Sequence, residues 1–332
     1  MRNLALASLL ALVAALAAAL PAQATYPGAN GQIVFGRSDP STGTRAIFTA
    51  NADGSGELQI TKPPAGTEDN HPDWSPDGTK VAFTRCGSQR CEQWVVNADG
   101  TDPVRLGPDC TNTPPPACED RGDGAWSPDG RSIAFNRAWG AVQNGQIQRS
   151  ELWVMDADGS HARPITRLTA RHPYTRDVGN AMWSPNGKSL VLTIINGSLG
   201  KPAGHQAVFT IHADGTGLRR LTPWNLDAGD HPDWSPDGKL LIFRTVAGDD
   251  DQFGNLYTIR PNGSGLKQLT HYSSTTVVLS QSFSPDGHAI TFAKSGIGGE
   301  PDIFTMQLDG SGVTPVTRTP EPDSAPDWGP AR

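Results

Sequence analysis

The chain has 332 residues, a formal net charge of −7 and 18% charged residues, so it offers no general electrostatic reason to bind nucleic acid, whose phosphates reward clustered Lys and Arg. With 37 Gly and 28 Pro, it is punctuated too often for long helices and calls for many turns. No uninterrupted amphipathic helical pattern occurs beyond the first 24 residues.

Those residues read as a leader. Arg2 precedes an apolar run from Leu4 to Leu20, and small residues at Ala22 and Ala24 flank Gln23. This is the pattern of a secretory signal peptide over residues 1–24, leaving residues 25–332 as one domain. The run falls short of the ~20 apolar residues of a spanning helix and Pro21 closes it. No later segment reaches that length, so no membrane span is expected in the mature chain, and export to the periplasm or the exterior is. No Cys closely follows the cleavage site, which argues against a lipid anchor.

The chain then falls into six repeats. WSPDG at Trp74 recurs at Trp126, as WSPNG at Trp183, as WSPDG at Trp234, as FSPDG at Phe283 and as a degenerate WGP at Trp328. Asp or Asn followed by Gly recurs in step at Gly54, Gly100, Gly159, Gly215, Gly263 and Gly310. A period near 50 residues is that of propeller blades, each of four short strands. Strand A carries the aromatic; strand B follows as KVAFT, SIAFN, SLVLT, LLIFR or AITFA; strand C is QWVVN, LWVMD, VFTIH, LYTIR or IFTMQ; strand D ends in LRRLT or LKQLT. The SPDG and ADG segments are tight turns in which Gly supplies positive φ. The chain opens on a B strand (Gln32 to Gly36), then C (Ala46 to Asn51) and D (Glu57 to Thr61), and ends on an A strand alone, Ala325 to Trp328. The expectation is an all-β, six-bladed β-propeller whose ring closes by pairing the C-terminal strand with the N-terminal blade, which leaves no sheet edge open.

WSPDG, a hydrophobic B strand, a hydrophobic C strand and ADG together resemble the WD-like repeat of the TolB C-terminal propeller, over essentially the whole mature chain. TolB is the periplasmic component of the Tol system, so the resemblance implies an envelope protein with protein partners. One departure matters: TolB places an α/β domain before its propeller, whereas here strand B starts within eight residues of the predicted cleavage site. Similar propellers occur in prolyl-oligopeptidase-type enzymes beside a hydrolase domain, for which this chain is expected to leave no room, and no G-x-S-x-G nucleophile elbow is found.

Topology puts the uniform A-to-B and C-to-D turns on one face and the long, dissimilar B-to-C and D-to-A connections on the other, where binding is expected. Three positions before each aromatic, at the channel mouth on that face, stand His71, Asp123, Asn180, His231, Ser280 and Ala325. The first four could bind a ligand or a metal; the plainer reading is that H-P-D-W is how strand A enters, with His satisfied by neighbouring backbone. His71 and His231 are three blades apart, which places them on opposite sides of the channel and argues against a metal. Propeller lyases acting on pectin fragments use His-bound metal, but an adjacent His set is lacking. Two residues after the B-strand aromatic come Arg37, Arg85, Arg137 and Lys294, in consecutive blades, a cationic arc that would suit a carboxylate or an acidic peptide; the alternative is pairing with strand-A neighbours, Arg85 with Asp69 and Arg37 with Asp323.

The other candidates carry less. Cys86, Cys91, Cys110 and Cys118 favour disulfides in an oxidising compartment over zinc, for which no C-x-x-C pair exists. The local pairs 86–91 and 110–118 are expected. Asp249, Asp250 and Asp251 lack the ligand spacing of a calcium loop, and Trp139 and Trp224 fall in long connections. The reading is a monomeric, non-catalytic protein- or peptide-binding scaffold with no cofactor and no metal. A secreted lyase or hydrolase working at the channel mouth is the rival.

Overall fold

A computed structural model describes residues 26–39, 42–88, 90–107, 120–139, 149–166, 177–196, 205–246, 253–273, 275–296 and 298–332. The expected leader, Cys110, Cys118 and Asp249 to Asp251 lie outside them.

Six four-stranded antiparallel sheets form the blades. Blade 1 joins the chain ends: strand A is Asp323–Pro330, B Asn30–Asp39, C Thr44–Ala50 and D Leu58–Gln59. The A strands of blades 2 to 6 are Glu68–Trp74, Asp120–Trp126, Asp177–Trp183, Ala228–Trp234 and Thr276–Phe283. Their B strands are Lys80–Cys86, Ser132–Trp139, Ser189–Asn196, Leu241–Thr245 and Ala289–Gly296, and their C strands Cys91–Asn97, Arg149–Asp156, His205–His212, Leu256–Ile259 and Asp302–Gln307. The D strands are two residues long in every blade, so the outer edge offers little backbone for pairing with another chain.

Closure follows the sequence expectation. Ile33 pairs with Trp328, Val34 with Asp327 and Arg37 with Asp323. The Trp328 indole donates to the Gly31 carbonyl at 3.1 Å, and Ala331 N–H to Ala29 at 2.8 Å.

The B strand is the buried spine of each blade, because both its faces are covered. Phe35, Phe83, Phe135, Leu192, Phe243 and Phe292 recur at one position and are almost wholly buried. The A-strand aromatic fills the gap to the preceding blade: Trp74 packs with Val34, Ile47 and Ile60, and Trp126 with Ala82, Val95 and Leu106. The turn glycines serve the same packing. Gly310 has φ of 90°, and a Cβ there would stand 2.3 Å from the Leu269 carbonyl of the neighbouring blade. Cys86 and Cys91 form a disulfide across the B-to-C hairpin of blade 2, with a Cα–Cα distance of 4.0 Å.

Candidate functional site

Strand A is bulged at the same place in every blade. Its pairing with strand B slips between Asn70 and Asp73, Gly122 and Ala125, Gly179 and Met182, Gly229 and Asp233, Leu279 and Gln281, and Ser324 and Asp327. The residue at each slip is left-handed: φ is 48° at His71, 52° at Asp123, 37° at Asn180, 49° at His231, 29° at Ser280 and 52° at Ala325. Such a φ costs a non-glycine residue about 1–3 kcal/mol. Since Ala and Ser adopt it as His does, the conformation belongs to the ring and not to one side chain. A bulge re-aims the side chain it carries. Here it turns all six positions toward the axis, where they line a cavity of about 60 Å³.

The four sequence candidates at these positions are thereby brought together. His71 Nδ1 lies 2.8 Å from Asp123 Oδ1, whose other oxygen accepts from Asn136 Nδ2 at 2.9 Å. The side chains of Asn180 and His231 hydrogen-bond to each other. His231 Nδ1 is 3.1 Å from Asp230 Oδ1, and Arg244 Nε donates to Asp230 Oδ2 at 2.6 Å. The separation expected of the two histidines is overturned: their ring centroids are 4.9 Å apart. Opposite blades face each other across a narrow channel, and the bulges push both rings inward. The partners are side chains, chiefly from other blades, and not the local backbone. Among the described residues no group of three or more His, Cys, Asp or Glu side chains is placed to hold a metal ion.

The electrostatics split this cluster. Burial works against the charged form of His71, but Asp123 and then Asp230 outweigh it, and its pKa is raised. Burial likewise opposes the Asp123 carboxylate, yet His71, His231 and the Asn136 hydrogen bond hold it down to about 2. His231 goes the other way: burial, reinforced by His71, prevails over Asp230 and Asp123 and lowers its pKa. The mouth therefore favours the proton on His71, beside Asp123, and disfavours it on His231.

A second ring, which the sequence analysis passed over, lies one residue before the aromatic. There stand Asp73, Asp233 and Asp327, with Ala125, Met182 and Ser282 in the other blades. Each carboxylate reaches to a neighbouring blade: Asp327 Oδ2 accepts Trp74 N–H at 2.9 Å, Asp73 Oδ2 accepts Trp126 N–H at 2.8 Å, and Asp233 Oδ2 accepts Phe283 N–H at 2.9 Å. Burial, then the charge of Asp327 and Asp233, pushes Asp73 well above the usual carboxylate range; burial also raises Asp327. Below them Tyr26, 8% exposed, donates its hydroxyl to the Trp74 carbonyl at 3.0 Å. It stops the channel at the turn face, and burial with the Asp73 and Asp327 charges raises its pKa well above 10.0. The recurrent P-D-W was the available signal for the acidic ring; nothing in the repeat announces Tyr26.

The cationic arc lies elsewhere. Arg37 is held by Asp323 at 2.7 Å and Glu57 at 2.7 Å, and Arg85 by both oxygens of Asp69 at 2.6 and 2.8 Å. Each arc cation also rests over a C-strand aromatic: Arg37 on Phe48, Arg85 on Trp94, Arg137 on Trp153 and Lys294 on Phe304. None of the four lines the channel cavity. Trp224 packs against Phe209 in a tilted pair with centroids 5.7 Å apart, so it rests on blade 4 instead of standing free as a platform.

Comparison with known proteins agrees with this architecture. The family model of the TolB beta propeller domain matches residues 70–253, more than half the chain. The chain belongs to the TolB beta propeller domain family. Among curated proteins, it is 28% identical over 214 residues to the uncharacterized peptidase YuxL of Bacillus subtilis (strain 168), covering 52% of this chain and 28% of that protein. To the Tol-Pal system protein TolB of Anaeromyxobacter dehalogenans (strain 2CP-C) it is 35% identical over 95 residues, covering 29% of this chain and 18% of that one. The chain thus matches less than a third of the length of either relative. The fold is that of the crystal structure of TolB from Acinetobacter baumannii, with a TM-score of 0.68 at 21% identity, over 91% of this chain and 67% of that one.

Proposed function

We propose that this propeller is an exported, non-catalytic scaffold that binds a protein or peptide through the face carrying the B-to-C and D-to-A connections, centred on the channel mouth. One observation carries the reading: six equivalent backbone positions, all left-handed, present six side chains of differing chemistry to the mouth. The kinship with a Tol-Pal system protein supports a partner that is a protein, and the leader at residues 1–24 supports export. Among the described residues no helix is long and apolar enough to cross a membrane. The arc cations are neutralised within their own blades where Arg37 and Arg85 meet carboxylates, so recognition is assigned to the mouth and not to the arc.

The test is affinity capture from the native envelope fraction by the mature protein, by a His71→Ala/His231→Ala variant, and by charge reversal at Lys188 and Lys239 in the turns of the opposite face. A partner should be retained by the wild type and the turn variant and lost by the mouth variant. Retention by the mouth variant with loss in the turn variant would move the interface to the other face.

A second reading, a lyase or hydrolase at the mouth, draws on the His71–Asp123 pair, which has the geometry of an oriented general base, and on kinship with a protein named a peptidase. Turnover of a peptide or acidic oligosaccharide library that vanishes in His71→Ala, with folding intact, would establish it over the scaffold.

A further inference from the structure

Below the His71 and His231 imidazoles at its mouth, the axial cavity is rich in acceptors. Its lining includes the carboxylates Asp73, Asp233 and Asp327 and the amide of Gln281, and no Lys or Arg. Gln281 is only 3% exposed. Its Nε2 donates to the carbonyls of Asp230 and His231, which fixes the amide's orientation and leaves Oε1 as a buried acceptor without a partner. Such an atom lacks the hydrogen bond that burial normally requires, and only a donor can satisfy it. The carboxylates are acceptors too, and they repel one another in a medium that screens poorly. What the wall lacks is a compact cation rich in N–H groups.

We propose that the channel is a socket for a primary ammonium on an unbranched alkyl stem, the tip of a lysine side chain of the partner. This rests on the scaffold reading and names what that scaffold grips. The dimensions select within the class. A cavity of about 60 Å³ holds about two waters, enough for an ammonium head and its first methylene but not for a planar guanidinium. Tyr26 blocks the turn end, so the stem enters from the mouth, past His71, whose side chain is 38% exposed. Three donors on a tetrahedral nitrogen match acceptors arranged around an axis, as the flat fork of arginine does not. Backbone N–H groups of neighbouring blades already hold the three carboxylates in place, so the socket is formed before the ligand arrives.

Calorimetric titration of the full mature protein tests this without any natural partner. The probes are n-butylammonium, tetramethylammonium and calcium chlorides at one ionic strength, then the blocked peptide Gly-Lys-Gly and its norleucine and arginine counterparts. The Asp73→Asn/Asp327→Asn variant keeps an oxygen for each backbone N–H and removes two ionisable carboxyl groups; its melting curve confirms folding. The expected result is binding of n-butylammonium and of the lysine peptide, each at least 10-fold tighter than its tetramethylammonium, norleucine or arginine control. Both should weaken at least 10-fold in the double variant. Absence of n-butylammonium binding, equal binding by the folded double variant, or binding of calcium alone overturns the proposal. Binding of the free amine without the lysine peptide overturns the lysine tip. Loss of partner capture with ammonium binding intact would sink the scaffold reading and leave the socket standing.

Discussion

On the turn face, one carboxylate or amide does one job in blade after blade: Asp77, Asp129, Asn186, Asp237 and Asp286 each accept the backbone N–H two residues on, at 2.9 to 3.1 Å. At the channel mouth the backbone repeats as faithfully, with six left-handed bulges, yet the residues it carries are His, Asp, Asn, His, Ser and Ala. Repeated side-chain chemistry marks positions the fold consumes. A repeated backbone with unlike side chains marks positions the fold has released. The channel acids stand between the two, since they hold neighbouring blades together and face the cavity as well.

The sharpest way to break this contrast is to remove the strand that serves both faces. Deleting Asp323 to Arg332 takes away the pairing with strand B of blade 1, the Asp327 bond to Trp74 and the burial of Trp328, itself worth about 3–5 kcal/mol. Cooperative unfolding should be lost, or its midpoint in denaturant should fall steeply. A truncated chain that melts with the full one would refute the closure.

Within the intact ring, the turn face should be the costlier to alter. Gly310→Ala forces a Cβ to within 2.3 Å of the Leu269 carbonyl at a φ of 90°, and the left-handed strain alone is about 1–3 kcal/mol. We expect a loss of about 2–4 kcal/mol in urea unfolding. Ser280→Ala at the mouth should change stability by less than about 1 kcal/mol, since the fold already accepts Ala325 at the equivalent site. Equal losses would erase the distinction between the faces. Reducing the Cys86–Cys91 bond comes next: it closes a short loop, for which chain entropy gives about 2 kcal/mol. Cys86→Ser/Cys91→Ser should fold with that deficit.

The blades, their order and the closing strand were legible because each rests on a local pattern: an aromatic before a Ser-Pro turn, a continuously hydrophobic B strand, a glycine where φ must be positive. The pairings of Arg85 with Asp69 and Arg37 with Asp323 were legible too, since they join strands adjacent in one blade. The second partner of Arg37, Glu57, was not, because it lies beyond the adjacent strands. The mouth residues were found by position but not by distance. Sequence period fixes which blade a residue occupies, whereas the 4.9 Å between His71 and His231 depends on the width of the ring and on bulges that leave no mark in the hydrophobic pattern. Asp73, Asp233 and Asp327 were hidden in plain view, because an Asp before Trp looks like strand entry until its partner in a neighbouring blade is known.

The smallest expected effect resolves the mouth itself. His71 is raised above 6.5 in the folded chain, so its share of stability is fully present below 6.5 and is lost as pH rises through the raised value. Asp123 is depressed from 3.8 to about 2, so its share is present above 3.8 and is lost as pH falls toward 2. The pair is complete between these limits, in mildly acid solution. His231 is lowered below 6.5; the unfolded chain takes up its proton first, and its contribution falls as pH drops below 6.5. The His71 side chain is 38% exposed, so solvent screening keeps the pair under about 1 kcal/mol. Stability of the wild type minus that of His71→Ala should therefore peak between pH 4 and 6.5 and shrink on either side, the removal of His71 also lifting the His231 midpoint. Ring-proton NMR should show His71 titrating above 6.5 and His231 below it. Coincident midpoints would mean that the two rings do not share the axis, and the contrast between a variable, electrostatically coupled mouth and a uniform turn face would lose its firmest physical support.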